Sequence, residues 1–235
     1  MPLSCSNTES PSNNLEAIAY REIRNAIITG IFPPRYHIVE EHISNQLNMS
    51  RSPVRGAIKR LQTEGFLEKH SNNRIYVSMP DSNTLIDTLY IRMALDGITA
   101  NRAAVNRTQE DVILIEQTLH QSTEALKADD TFLQHELAVS IHHTIYNATK
   151  SDLLSRLAKN YENQVTVFTY NSLKQEPTRS AVAFEEHLAI CQCVIDQKPK
   201  EAEEAARAHI QKLIDRVKLV EQKVEAISSL SRLLP

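Results

Sequence analysis

Apolar residues from Leu15 to Thr29 recur at helical spacing (Ile18, Ala19, Ile23, Ala26, Ile27), and Gly30 supplies a stop. The prolines of Ile31-Phe-Pro-Pro-Arg35 exclude helix there. A second helix is predicted near Glu40 to Leu47, with Ile43 and Leu47 on one face. After the break at Asn48-Met-Ser50, a third helix takes Ser50 as N-cap, tolerates Pro53 in its first turn, buries Val54, Ala57, Ile58 and Leu61, and closes at Gly65. Residues 66–70 and 74–78 read as short strands joined across Ser71-Asn72-Asn73, where asparagine tolerates positive φ. Helix, helix, turn, helix and hairpin within 14–79 is the layout of a winged helix-turn-helix.

Residues 1–13, rich in Ser, Asn and Pro, read as a flexible tail. Met79-Pro-Asp81 marks a boundary. Beyond it the pattern is helical in six segments, near 82–105, 109–128, 130–149, 152–174, 178–197 and 199–228. Thr108-Gln-Glu-Asp111 introduces the second as a near capping box, and Pro199 opens the last. Long helices on short loops pack economically as an antiparallel bundle. The fold class is therefore mostly α: an N-terminal winged helix-turn-helix followed by an all-helical antiparallel bundle over 82–228.

Composition narrows the picture. With 235 residues the chain suits two domains, and 4 Gly with no Trp argue against Gly-punctuated barrels and nucleotide-cradling loops. No apolar run approaches a membrane span and no signal peptide opens the chain, so a cytoplasmic protein is expected. Cys5, Cys191 and Cys193 are odd in number and unhelpfully spaced, which predicts reduced thiols. Net charge is −3, yet residues 14–79 carry nine Lys/Arg against six Glu, while 80–235 carry 17 basic against 22 acidic residues. That asymmetry suits a polyanion partner for the first half.

A helix-turn-helix presents the first turn of its second helix to base edges. Here that turn is Ser50-Arg-Ser-Pro-Val-Arg55, with Arg51 and Arg55 four apart on one face and able to grip guanine or phosphate bidentately. In the bundle, His142 lies within the stripe of Leu137, Ala138, Ile141, Ile145 and Ala148. His187 edges the stripe of Phe184, Leu188, Cys191 and Ile195, and His209 lies within that of Ala202, Ala206, Leu213 and Val217. Three inward imidazoles on three helices are able to converge on one cation, such as zinc, or to serve as hydrogen-bonded core residues. His135 and His143 fall off this stripe and read as surface residues. No Glu or Asp is placed inside the stripes as a general base.

The run Ala26-Ile-Ile-Thr-Gly30, Pro33-Pro-Arg35, Ser50-Arg-Ser-Pro-Val-Arg55 and Leu61-x-x-Glu64-Gly65-Phe66 resembles the DNA-binding domain of the GntR superfamily of bacterial regulators. The resemblance implies DNA contacts by Arg35, Arg51 and Arg55, flanked by Ser50 and Ser52, and by Arg74 at the wing. The chain departs from the pattern at Pro34, where a Gly is usual, at Gly56, where a Glu is usual, and at the wing tip, Asn72-Asn73. Residues 82–228 resemble the FCD effector domain of the FadR-type subgroup, in its six-helix VanR-like form. In metal-binding members the ligands are an Asp and three His. The three His fall on His142, His187 and His209, the Asp position is Ala138, and Lys150-Ser151 replaces a Gly-Asn pair. One divalent metal, zinc or similar, is thus implied with weakened affinity. Arg92 stands where the family carries an Arg, either to hold an anionic effector or to pair with Asp96 four residues on.

These readings imply a ligand-responsive transcription factor, a repressor in most such cases, whose dimer grips a palindromic operator and takes a small carboxylate metabolite in its bundle. An enzyme using the three histidines to activate water, and a non-catalytic helical scaffold, are the competing classes. The first leaves a DNA-binding head without a role, and the second leaves the arginines unexplained.

Overall fold

The computed structural model describes residues 11–231 apart from Pro177, with side chains described over 15–222, and the chain divides into two compact units, Met1–Met79 and Pro80–Pro235. The first holds α1 (Pro11–Ile28), β1 (His37–Ile38), α2 (Glu40–Leu47), α3 (Arg51–Thr63), β2 (Leu67–Lys69) and β3 (Ile75–Val77). The tail expected over 1–13 lies outside the described residues as far as residue 10, as does Cys5, and its last three residues instead belong to α1. Helix α1 begins at Pro11, since a proline costs nothing in a first turn whose N–H groups have no partner anyway.

Ala19, Ile23 and Ile27 of α1 pack on Val54, Ala57, Ile58 and Leu61 of α3, and all seven side chains are buried. Where the two helices approach, a Cβ on Gly56 would meet the Glu16 carboxylate at 2.1 Å. The glutamate that resemblance leads one to look for at position 56 is therefore absent where a carboxylate from α1 already occupies the space. Gly30 and Gly65 end α1 and α3 with φ of +83° each. Ser50 does sit in extended backbone ahead of α3, but its hydroxyl makes no capping bond.

The wing is a three-stranded antiparallel sheet, order β1-β3-β2, with Leu67 opposite Val77, Glu68 opposite Tyr76 and Ile38 opposite Ile75. The third strand, β1, has no counterpart in the sequence reading. Two residues have no periodicity to read, and β1 exists only because Ile38 and His37 find β3. Its approach is set by Arg35, whose φ of +66° is left-handed and whose N–H donates to Val77 O at 2.9 Å. The position that demands a glycine-like backbone is thus Arg35, one residue beyond Pro34.

The second unit holds α4 (Ser82–Asn106), α5 (Gln109–Lys127), α6 (Thr131–Ala148), α7 (Asp152–Gln175), α8 (Thr178–Ile195) and α9 (Pro199–Ser231). The Thr108 box is complete: Thr108 Oγ1 accepts from the Asp111 N–H at 3.3 Å, and Asp111 Oδ2 accepts from the Thr108 N–H at 2.7 Å. Helix α4 is the central strut and packs most extensively on α9. One core cluster joins Ala100, Ala103 and Ala104 of α4 to Ile115, Ile141, Ile145, Ile190, Val194 and Ala202; the other joins Leu85 and Leu89 to Val165, Ile210 and Ile214. Between these two apolar clusters lies a buried polar layer. Cys191 and Cys193 are free, and burial pushes the Cys191 thiol up to about 12.

The left-handed backbone at Arg35 should be relieved by a residue without Cβ. Arg35→Gly is expected to raise unfolding stability by up to about 1 kcal/mol, while Arg35→Ala gives no such gain. Denaturant midpoints of the two variants check this; an equal response to both would place the effect in the lost side chain instead.

Candidate functional site

Helices α6, α8 and α9 each turn one buried histidine into the same space. The ligand-capable nitrogens of His142, His187 and His209 all lie within 4.8 Å of one another. Ring centroids are 4.8 Å apart for His142 and His187, 5.3 Å for His142 and His209, and 4.6 Å for His187 and His209. The placement follows from helical spacing: His142 is one turn beyond Ala138, and His187 one turn beyond Ala183, with both alanines lining the same cavity.

Burial first, and then the Arg92 charge, hold His142 well below the ordinary imidazole value. Burial and then the neighbouring His209 do the same to His187. Both rings are therefore neutral at neutral pH and keep a lone pair. His187 Nε2 is buried without a hydrogen-bond partner. His209 Nδ1 donates to Glu186 Oε2 at 2.7 Å, which orients the ring and turns its Nε2 edge toward the other two histidines. Burial works to raise the Glu186 carboxyl, but the His209 hydrogen bond and charge, with Arg179 and Lys212, outweigh it and bring it down to about 2. Arg179 grips the same carboxylate through both terminal nitrogens, at 3.1 and 3.3 Å. Two imidazoles kept neutral by burial, one of them with an orphaned ring nitrogen, and a third oriented by a carboxylate form a donor set that a divalent transition metal can take.

Beneath the histidines lies the polar layer. Arg92, Asp96 and Glu162 are each at most 3% exposed. Arg92 Nε donates to Asp96 Oδ2 at 3.2 Å and Nη2 to Glu162 Oε1 at 3.1 Å. Tyr146 donates to Asp96 Oδ1 at 2.7 Å, and Asp96 Oδ2 stands 3.8 Å from His142 Nδ1. Burial raises the Asp96 carboxyl, Arg92 opposes the rise and Glu162 adds to it. Of the two roles open to Arg92, pairing is the one observed, with two carboxylates rather than one.

The cavity above this layer measures about 50 Å³, room for roughly three to five waters at 10–15 Å³ each. Arg92, Ala138, Glu162, Arg179 and the three histidines line it. His135 lines it too and is 2% exposed, which corrects the surface reading. The Thr169 hydroxyl donates to Thr166 O at 2.9 Å, so it accepts from His135 Nε2–H at 3.0 Å. That partner sits on α7, and spacing along α6 alone does not reveal it. His143 is half-buried, with Nε2 2.9 Å from Glu162 Oε2 but without hydrogen-bond alignment.

Acids do reach the bundle's interior, Asp96, Glu162 and Glu186, but each is committed to an arginine. A signal for Glu162 was present: it shares the buried face of α7 with Ala158, Val165, Thr166 and Leu173. Lys150, in place of the family's Gly, adopts a φ of +55° and pairs with Asp111 at 2.6 Å.

On α3 of the other unit, Arg51, Ser52 and Arg55 are exposed while Pro53, Val54, Ala57 and Ile58 are buried. Ser50, Arg35 and Arg74 are exposed as well. Arg51 Nη2 donates to Glu41 Oε1 at 2.7 Å, both side chains being 63% exposed. Such a surface pair is worth at most about 1 kcal/mol, so a stronger anion readily replaces it. At the wing tip Asn73 has a φ of +62°, and Asn72 Oδ1 accepts from the Arg74 N–H at 3.0 Å. The turn is built by asparagines where glycine is usual.

Comparison with known proteins places both units in known families. Residues 15–77 match the bacterial regulatory proteins of the gntR family, and residues 87–212 match the FCD domain. The chain is 25% identical to the Nta operon transcriptional regulator of Aminobacter aminovorans, over 79% of this chain and 86% of that one. It is 24% identical to the HTH-type transcriptional repressor RspR of Escherichia coli K12, over 91% and 93%. Its fold is similar to that of E. coli McbR/YncC, with a TM-score of 0.75 at 16% identity, covering 88% of this chain and 98% of that one. Among the described residues no helix is long and apolar enough to cross a membrane. With a gntR-type reading head in its first unit and an FCD domain spanning more than half its length, the chain belongs to the GntR family of bacterial transcriptional regulators, in the FadR-like subgroup that carries an FCD effector domain.

Proposed function

We propose that this regulator is a cytoplasmic repressor that grips a palindromic operator as a dimer and is released or engaged by a small carboxylate bound in the FCD cavity beside a divalent metal. The observation that carries the DNA-binding part is the division of α3, with Arg51 and Arg55 exposed on its first turns and Pro53, Val54 and Ala57 buried against the rest of the unit. Arg51 exchanges Glu41 for a guanine edge or phosphate, and Arg55, one turn on, takes the next contact. Arg35 and Arg74 add phosphate contacts outside α3, and Ser50 and Ser52 are short polar groups that let the backbone approach. Relatives described as repressors support the sign of regulation.

In the bundle, His142, His187 and His209 would hold the metal, which when bound supplies a Lewis-acidic point for an anionic oxygen. Ala138 lines the cavity where the family's carboxylate ligand stands, so that position is free for water or for the effector's own carboxylate. Glu186 holds the His209 ring in place, and Asp96 faces His142. Arg92 lines the same cavity, and an effector carboxylate that reaches it competes with Glu162.

Two predictions follow from these assignments. Arg51→Ala and Arg55→Ala should each cost ~1–3 kcal/mol of affinity for an operator in the chain's own upstream DNA, with folding unchanged, and Arg74→Ala should cost less and similarly across sequences. Gel-shift titrations at two salt concentrations also report the steep salt dependence of phosphate contacts. Wild-type affinity in both α3 variants would remove the reading head. For the bundle, metal content by mass spectrometry should be sub-stoichiometric or weakly held in wild type, higher in Ala138→Asp, whose carboxylate lies one turn before His142, and lost in His187→Ala. Equal content in all three would return the histidines to a purely hydrogen-bonded role.

A further inference from the structure

Beside the histidine cavity lies a second one, of about 20 Å³, and Ala138, Leu173, Ala183 and His187 line both. On α6, steps of one helical turn run from His142 through Ala138 to Gln134, and on α8 they run from His187 through Ala183 to Ser180. Gln134 and Ser180 line the second cavity, so on each helix an alanine stands between a histidine and that cavity. Short of glycine, no side chain would obstruct the shared wall less.

The two cavities differ in kind. The first is lined by Arg92, Glu162 and Arg179 as well as by the histidines, and Ser172 Oγ and His187 Nε2 are buried there without a hydrogen-bond partner among the described residues. The second is lined by no carboxylate, lysine or arginine, and its wall is mostly Leu126, Ile141, Leu173 and Phe184. Two of its polar members are already committed: Ser122 Oγ donates to Thr118 O at 2.9 Å, and Gln134 Nε2 to Ala125 O at 3.2 Å. A charge placed there would be buried without a partner, whereas an apolar group would gain by leaving water.

We propose that the second cavity is a tail subsite and that the effector is a short monocarboxylate, with its carboxylate in the histidine cavity and its apolar tail lying past Ala138 and Ala183. The proposal rests on the carboxylate reading given above and names the class of acid. At 10–15 Å³ per water, the second cavity takes roughly one or two water-sized groups, and the two cavities together take roughly four to seven. A carboxylate uses about three of these, which leaves a tail of about one to four carbons. Ser172, with its hydroxyl unspent, supplies a donor on the carboxylate's side.

Isothermal titration calorimetry of the full chain, supplied with one equivalent of zinc, against acetate, propanoate, butanoate, pentanoate, octanoate and succinate provides the test. Affinity is expected to rise by up to about fourfold for each methylene from acetate to pentanoate and to fall at octanoate, whose tail exceeds the space. Succinate, which carries a second carboxylate where butanoate has its methyl, is expected to bind about tenfold more weakly than butanoate. Ser122→Leu adds bulk to the second cavity alone. With folding verified by circular dichroism, it is expected to bind acetate as wild type does and to lose the gain from longer tails; Ser180→Leu, on another helix of the same cavity, repeats the measurement if Ser122→Leu does not fold. Failure of every acid to bind would overturn the carboxylate reading itself, and the tail subsite with it. Equal binding of acetate and pentanoate, or succinate bound as tightly as butanoate, would overturn the tail subsite while leaving the carboxylate reading standing. An undiminished gain with chain length in a folded Ser122→Leu or Ser180→Leu would overturn the role of this cavity.

Discussion

One guanidinium holds the effector domain's interior together. Arg92 is buried on α4 with a carboxylate from its own helix and another from α7, and Asp96 is further tied to α6 by the Tyr146 hydroxyl. A buried charge without partners is costly by several kcal/mol, so once Arg92 is enclosed the positions of Asp96 and Glu162 are constrained in turn. The Arg92 charge faces the histidines as well and, after burial, helps to hold His142 in its neutral form. The layer therefore joins α4, α6 and α7 between two apolar clusters, and burial beside its guanidinium keeps the His142 ring neutral and able to act as a ligand.

The elements that the sequence made legible are those whose information is local. The faces of α3 and of the bundle helices follow from apolar residues at three- and four-residue spacing, and the convergence of His142, His187 and His209 was readable because each lay on an inward stripe. What escaped reading depends on neighbours distant in sequence. His135 is buried because Thr169 crosses beside it, and Glu162 is tolerated inside because Arg92, 70 residues away, reaches it. β1 is too short to have a pattern and exists through β3. Arg35 and Lys150 carry left-handed backbone that side-chain identity does not announce, in a family where glycine commonly serves such turns.

The two sides of α4 suggest how the parts of the molecule communicate. Its inner side carries Arg92, which lines the cavity, and Asp96, which pairs with Arg92, while its outer side exposes Ile91, Ile98 and Val105. A carboxylate ligand that draws Arg92 from Glu162 would loosen the tie between α4 and α7. A regulator needs two states that a ligand distinguishes, and a central helix whose buried arginine has alternative anionic partners is a physical element able to supply them.

The central claim is that the three histidines form a single metal centre. X-ray absorption at the zinc edge of the full chain, loaded with one equivalent of zinc, tests it most directly. The account predicts a shell of nitrogen neighbours at about 2.0–2.1 Å with the outer scattering of several imidazole rings, completed by a light oxygen donor at the position that Ala138 leaves open. A spectrum with oxygen neighbours alone, or with sulfur from Cys191 or Cys193, would contradict it.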